Sequence, residues 1–160
     1  MKRLICIMLV FAFSSFLFTG CKTKKNSAGA IARKQAEIIL ECLKTGEKEE
    51  LKALFCERVK NTHNLDKEIQ EAIDFIDGEI VEDGKWIGMS EGGKSVDEGV
   101  VVKLDIHPSI IDLKTDNQNT YSIFFDTYLV YNDKKENVGM TYIIISDEKD
   151  NQILIGEVIH

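Results

Sequence analysis

Asp126 is the acidic residue whose surroundings make it the best candidate for acid–base chemistry. It lies in the segment TYSIFFDTYLVYN, residues 120–132, on the same alternating face as Phe124 and Tyr128. An acid is unexpected on an apolar strand face, because burial disfavours its charged form and raises its pKa. Asp126 is therefore a candidate general base. The simpler alternatives are that it lies at the solvated end of the strand or pairs with a lysine.

Four aromatic residues are candidates to assist such a base or to line a binding site. Tyr121, Tyr128 and Tyr142 each carry a hydroxyl that can donate a hydrogen bond, although tyrosines in strands more often fill a core. Trp86 follows a turn and precedes a glycine-rich segment, so it either lines the mouth of a pocket or anchors a hairpin. Both interpretations stand for each of these residues.

The histidines do not form a recognisable metal motif. His63, His107 and His160 are scattered along the chain and lack close carboxylate spacing, so no metal site is predicted. The chain also lacks a nucleophile elbow, a phosphate-binding loop and a dinucleotide fingerprint, and no cofactor is expected.

The cysteines divide between the N-terminus and the body of the chain. Cys42 and Cys56 fall on predicted helical faces beside apolar residues. An exported protein can join such a pair in a disulfide, provided that their Cα atoms lie within about 7 Å. Reduced cysteines also pack well at such positions, so the two alternatives stay open.

The N-terminus has the layout of an export signal. Two basic residues precede an apolar run, residues 4–18, which is shorter than the span of about 20 residues that crosses a bilayer. The following junction, FTGC at 18–21, resembles the lipobox of bacterial lipoproteins, although Phe18 replaces the usual leucine. That resemblance implies cleavage between Gly20 and Cys21, a lipid on the Cys21 sulfur, and attachment to the outer face of the cell membrane.

These features predict a signal peptide at residues 1–20, a lipidated flexible tether at 21–30 and a single domain at 31–160. Two of the 20 basic residues and none of the 27 acidic residues precede Cys21, so the mature chain carries 18 and 27, a net charge of −9. Such a charge argues against nucleic-acid binding. Basic residues in the tether either add attraction to anionic headgroups or are simply solvated.

The body has two halves with different periodicity. Residues 28–77 show the apolar spacing of three helices, the first ending at Gly46 and the third capped by Asn64. Residues 79–160 alternate as strands, with Pro108 ending or kinking one of them. The segment 120–132 is apolar on both faces, which predicts a central strand covered on both sides.

Helices followed by an antiparallel meander indicate an α+β fold, with three N-terminal helices packed on one face of a curved sheet. This layout resembles the nuclear transport factor 2-like fold, close to the cystatin-like class. The segments 64–80, 115–125 and 139–146 are also similar to an uncharacterised family of lipoproteins from Gram-positive bacteria. The fold implies a cone-shaped pocket between sheet and helices, in which Asp126 and the tyrosines would be site residues.

Three functions follow as hypotheses. The first is a membrane-anchored binding module for a small ligand, a peptide or an envelope partner. The second is an enzyme of the isomerase or dehydratase type with Asp126 as base, as the fold resemblance implies. The third is a structural or interaction protein that forms a homodimer through its sheet. An exposed apolar sheet face over a filled interior would favour an interaction role.

Overall fold

The computed structural model describes residues 27–159, except for the side chains of residues 89–91. The predicted signal peptide, Gly20, Cys21 and the first part of the predicted tether lie outside the described residues. Within residues 27–159, none of the helices has the length and apolar character needed to span a bilayer.

Within residues 27–159, four α-helices precede the sheet, where the sequence predicts three. Their bounds are α1 Ala28–Thr45, α2 Glu49–Leu54, α3 Glu57–Thr62 and α4 Leu65–Phe75. The predicted second helix is interrupted because Phe55 and Cys56 adopt extended backbone. There the N–H of Cys56 donates to the carbonyl of Met140, so a distant strand takes the hydrogen bond that a continuous helix would have made.

The helix ends follow from residues that were visible in the sequence. Ser27 caps α1 by accepting a hydrogen bond from the Ala30 N–H, and Asn64 caps α4 by accepting from Lys67. Gly46 ends α1 with a φ of 78°, a left-handed conformation that glycine adopts without a side-chain clash. The first and last helices therefore begin and end close to where they were predicted.

Six antiparallel strands follow. They are β1 Ile80–Glu82, β2 Lys85–Asp97, β3 Val100–Thr115, β4 Thr120–Tyr131, β5 Gly139–Asp147 and β6 Gln152–Gly156. The order across the sheet is β1-β3-β4-β5-β6, and β2 also pairs with β3. A 3₁₀ helix at Lys135–Asn137 lies between β4 and β5, so helical structure is not confined to the N-terminal half. A mixed helical and antiparallel-sheet architecture is thus confirmed.

The first two strands share one neighbour and do not form a hairpin with each other. Both pair with β3, β1 near Thr115 and β2 along the rest of the strand. Gly84 lies at the bend between them with a φ of 76°, and a Cβ there would collide with the backbone of Ile111. Asp83 and Gly84, just before Trp86, therefore form a bend at one edge of the sheet and not a hairpin turn.

Pro108 lies inside β3 and does not end it. It pairs with Met89, next to an irregularity in the β2–β3 register between Trp86 and Met89. A proline has no N–H to donate, and an irregular stretch of pairing tolerates that loss. The strand consequently runs unbroken for 16 residues.

The two faces of the sheet differ in burial. On one face, here called the helix-side face, Ile123, Phe125 and Ile143 are at most 1% exposed and form one core with residues of α1 and α4. Alternate residues point to the other side, here called the open face. There Phe124, Ile144 and Leu154 form a row across β4, β5 and β6.

The expectation that β4 is covered on both faces is only half correct. The strand is central, between β3 and β5, as predicted. Phe124, however, is 44% exposed and Leu154 is 45% exposed, so the open face carries uncovered apolar side chains. The alternation of apolar residues on β4 indicates two apolar faces, but it does not say that a second layer of the same chain covers both.

Candidate functional site

The open face brings Asp126 together with two other ionisable residues, Asp105 and His107. Asp105 and His107 are two positions apart on β3 and so share a face. The register aligns Ile106 with Thr127, which sets Asp126 of β4 beside His107. Elementary strand geometry therefore assembles this cluster from two neighbouring strands.

The imidazole of His107 lies between the two carboxylates. Its Nε2 is 2.9 Å from Oδ2 of Asp105, and its Nδ1 is 2.8 Å from Oδ1 of Asp126. One candidate ligand atom from each of the three residues can be chosen so that all lie within 4.8 Å of one another. One imidazole and two carboxylates are thus close enough to contact a single ion or to share a proton.

A glycine pair on β2 makes room for Asp105. The N–H of Gly93 donates to Oδ2 of Asp105 at 2.9 Å. A Cβ at Gly92 would collide with the carbonyl oxygen and the carboxylate of Asp105, so only glycine allows β2 to approach this closely. The glycine-rich segment that follows Trp86 therefore forms part of the wall of this site.

Both carboxylates are buried although they lie on the open face. Asp126 is 4% exposed and Asp105 is 7% exposed, whereas 40% of the His107 side chain remains accessible. Burial raises the pKa of the Asp126 carboxyl above its ordinary value, an effect that His107 opposes and Asp105 reinforces. The alternative that Asp126 lies at a solvated strand end is therefore wrong.

Two carboxylate oxygens in the cluster lack a hydrogen bond. Oδ1 of Asp105 and Oδ1 of Asp126 are buried and have no hydrogen-bond partner among residues 27–159. Oδ1 of Asp126 is close to the His107 ring nitrogen, but the two groups are not aligned as donor and acceptor. Buried acceptors of this kind are uncommon in folded proteins, and each one requires an explanation.

The predicted tyrosines occupy different places around β4 and β5. Tyr142 lies directly across from Asp126 on β5, and burial followed by the charge of Asp126 raises its pKa. Tyr128 is buried and its hydroxyl donates to the carbonyl of Ile159. Tyr121 lies further along, where its hydroxyl accepts from the Asp77 N–H and its ring packs edge-on against Phe75. Tyr142 is thus the member of the predicted set that pairs with Asp126 across the sheet.

Trp86 lies away from the cluster. It packs against the core and lines a cleft of about 250 Å³, bounded on one side by Ala36 and Leu40 of α1. Tyr121 lines a separate cavity of about 200 Å³. The candidate residues predicted from the sequence therefore do not form one site. Among them, Asp126 is the residue that lies beside other titratable groups on the open face.

Cys42 and Cys56 are buried free thiols. Both belong to the core on the helix-side face. Burial raises the pKa of the Cys42 thiol to about 11 and also raises that of Cys56. The structure therefore shows the packed, reduced alternative, and neither thiol has the lowered pKa of a reactive cysteine.

Asp105 and the pairing of His107 with acids are what the sequence analysis missed. Asp105 precedes His107 by two residues on a predicted strand, which places both side chains on one face. That spacing was the available signal. Placing Asp126 beside them required the register of β3 on β4, including the irregularity between Ile110 and Leu113, which lies between the cluster and the β3–β4 turn and which alternation alone does not reveal.

Comparison with known proteins gives a family. No curated protein matches the chain significantly. Residues 38–149, which run from within α1 to just past the end of β5, match the family described as domain of unknown function DUF5104. The match includes Asp105, His107 and Asp126 and covers more than half of the chain. The chain therefore belongs to the DUF5104 family.

Proposed function

We propose that the protein is a lipid-anchored domain on the outer face of the cell membrane that binds another envelope protein through its open face. The observation that carries this proposal is the apolar row in which Phe124 and Leu154 are 44% and 45% exposed, with the half-buried Ile144 between them. Solvent-exposed apolar side chains that neighbour one another across three strands are typical of interaction surfaces.

The packing of the other face supports a protein partner over a small apolar ligand. The space between helices and sheet is filled by large side chains that are less than 2% exposed, among them Phe55, Phe125 and Ile39. A ligand-binding cone would instead need an open apolar interior. The nuclear transport factor 2-like arrangement, which is part of this proposal, is supported by the order of helices before a long-stranded antiparallel sheet.

Charge favours a different protein over a second copy of this chain. Asp105 and Asp126 lie on the same face as the apolar row: Asp126 is two positions from Phe124 on β4, and Asp105 is on the neighbouring β3. A twofold homodimer through this face would bring two such acidic clusters together, and like charges oppose association. A partner that offers apolar side chains and a positive charge complements the face better.

Photo-crosslinking tests the partner surface. A photo-reactive phenylalanine analogue replaces Phe124 or Leu154 in the full chain, produced in its native cell. The same analogue at Val81, which is 61% exposed on β1, is the matched control. We expect one adduct with another polypeptide at positions 124 and 154 and none at 81. An adduct of twice the chain mass would show that the face binds a second copy of this chain and not another protein. Equal labelling at all three positions would contradict a specific surface.

Membrane attachment has a separate test. Cys21→Ala is expected to release the protein from the membrane fraction and to abolish a lipid-sized mass on the N-terminal peptide. Cys42→Ala is the control, because Cys42 is buried in the core and cannot carry the lipid. A lipid-sized mass that persists in Cys21→Ala would contradict the lipoprotein assignment without bearing on the open face.

A further inference from the structure

We propose that Asp105, His107 and Asp126 form a binding site for one divalent transition-metal ion, with Zn²⁺ as the ion that their chemistry fits best. This inference goes beyond the proposed partner surface and does not depend on it. It rests on the identity of the three side chains, on their proximity, and on buried carboxylate oxygens that the protein leaves without hydrogen bonds.

The donor set has the composition of a zinc site. Zn²⁺ is bound by imidazole nitrogen and carboxylate oxygen at about 2.0–2.2 Å, and sites with three protein ligands keep a fourth position open. Mg²⁺ and Ca²⁺ prefer sites built from oxygen alone, so the imidazole of His107 favours Zn²⁺ over them. Two carboxylates and one neutral imidazole would leave the zinc complex without net charge.

The unpaired oxygens are the second, independent observation. Oδ1 of Asp126 belongs to a side chain that is 6% exposed, and Oδ1 of Asp105 to one that is 10% exposed. Neither oxygen accepts a hydrogen bond from the described residues, although Nδ1 of His107 lies 2.8 Å from Oδ1 of Asp126. Two buried carboxylates side by side repel each other and lose their hydration, which costs free energy unless a positive charge lies between them, and among the described residues the His107 ring lies there. A bound metal ion removes both costs at once.

The distances are compatible with a common ion after a small movement of one ring. Ligand atoms that bind one ion at about 2.0–2.2 Å lie at most about 4.4 Å apart, twice the longest bond, and here the three chosen atoms lie within 4.8 Å of one another. The carboxylates are held by buried strands, whereas 40% of the His107 side chain is accessible. The imidazole therefore has room to turn one nitrogen towards a point between the two carboxylates.

The surroundings of Asp105 resemble the support that metal ligands usually have. The Gly93 N–H donates to Oδ2 of Asp105 and orients this carboxylate, leaving Oδ1 for the ion. Glycine at position 92 lets β2 pass directly over the carboxylate. The exposed edge of His107 gives the ion a path from solvent, and an open coordination position would face the same side as the apolar row.

Calorimetric titration with Zn²⁺ tests the site. The full-length protein is purified in detergent without a histidine tag, stripped with a chelator, and titrated with Zn²⁺, and separately with Ca²⁺ and Mg²⁺. We expect one equivalent of Zn²⁺ and no comparable binding of the other two ions. His107→Gln and Asp126→Asn should each weaken Zn²⁺ binding by more than about 10-fold, since removal of even a supporting residue costs that much.

His63→Gln is the matched control. His63 also contacts a carboxylate, with its Nδ1 2.8 Å from Oε1 of Glu68, but the metal-ligand geometry among the described residues includes neither of them. Zinc affinity should be unchanged in this variant. His107→Gln changes a partly exposed side chain, so it keeps the test decisive if Asp126→Asn fails to fold, as judged by circular dichroism.

Cobalt substitution identifies the ligand atoms. Co²⁺ bound by nitrogen and oxygen gives visible absorption without the near-ultraviolet thiolate bands that cysteine ligands produce. Loss of the visible bands in His107→Gln supports the site. Thiolate bands would assign the ion to one or more cysteines and overturn the proposal, as would zinc binding that survives His107→Gln or a stripped protein that binds no Zn²⁺.

Discussion

Phe124 and Phe125 are neighbours on β4, yet the first is 44% exposed and the second is 1% exposed. The two faces of the sheet differ in burial in the same way. The helix-side face is apolar and packs against the helices in one core, whereas the open face combines a partly exposed apolar row with an Asp–His–Asp cluster in which the two carboxylates are buried. Because strand side chains alternate, one strand contributes to stability with one residue and to a candidate site with the next.

The difference between the two faces predicts which substitutions affect the stability of the protein. A side chain on the helix-side face contributes to the free energy of unfolding through burial. A side chain on the open face leaves stability almost unchanged when it is removed, because it is solvated in the isolated protein. The cluster of Asp105, His107 and Asp126 is the exception, since its carboxylates are buried at a cost to the fold.

The largest expected effect separates the two phenylalanines. Phe125→Ala should lower the free energy of unfolding by about 3–5 kcal/mol, because it leaves a cavity in the core. Phe124→Ala should change it by less than about 1 kcal/mol and instead weaken partner binding. Urea unfolding followed by circular dichroism measures both variants. Equal losses of stability would mean that the open face is covered within the folded protein.

The fold was predictable from the sequence where the signals are local. Ser27, Gly46 and Asn64 mark helix ends, and the alternation in 120–132 indicates the central strand. The interruption at Phe55–Cys56 was not predictable, because its cause is a hydrogen bond from Cys56 to Met140, 84 positions away in the numbering of the chain.

The candidate site was predictable only in part for the same reason. Asp126 stands out as an acid on an apolar strand, and that signal is local. Its partners depend on strand register, and the irregular pairing between Ile110 and Leu113 shifts which residues of β3 and β4 face each other. No local pattern encodes that shift. The exposure of Phe124 was not predictable either. The alternation pattern identifies an apolar residue on a strand face, but it does not show whether another layer of the protein covers that residue.

The second-largest expected effect is a loss of stability at high pH caused by the Cys42 thiol, which is buried in the core on the helix-side face. Burial raises the pKa of the Cys42 thiol from 9.0 to about 11, so the folded state keeps its proton at pH values where the unfolded state has lost it. Folding is therefore unaffected by this thiol below pH 9 and is weakened as pH rises from 9 towards 11, by up to about 2–3 kcal/mol.

Urea unfolding at pH 8 and at pH 10.5 measures this effect. The same pair of measurements on Cys42→Ala is the control, because that variant keeps the other groups that titrate at high pH. The wild-type protein should lose more stability between the two pH values than the variant does. An identical loss would mean that the core admits the thiolate or water.

The third effect concerns the backbone beneath the cluster. Gly92→Ala places a Cβ against the carbonyl and carboxylate of Asp105 and should cost roughly 1–3 kcal/mol through the shift that it forces on β2. It should also weaken Zn²⁺ binding. Gly29→Ala is the control, because a Cβ there meets no neighbouring atom and alanine suits a helix. Thermal unfolding and zinc titration measure both variants, and full zinc affinity in Gly92→Ala would show that β2 does not support Asp105.

The meander has a consequence for the order in which the protein folds. From β2 to β6 each strand pairs with the next one in the chain, so these contacts close short loops. The contacts that dock the helices join distant residues, 92 positions apart for Gln35 and Thr127 and 99 for Arg58 and Glu157. Because short loops lose less chain entropy on closing, we expect the sheet to form first, with φ-values higher in β3 and β4 than in α1. A nascent chain would then pass through a state in which both sheet faces are bare, which makes the period before the helices dock the time of greatest aggregation risk.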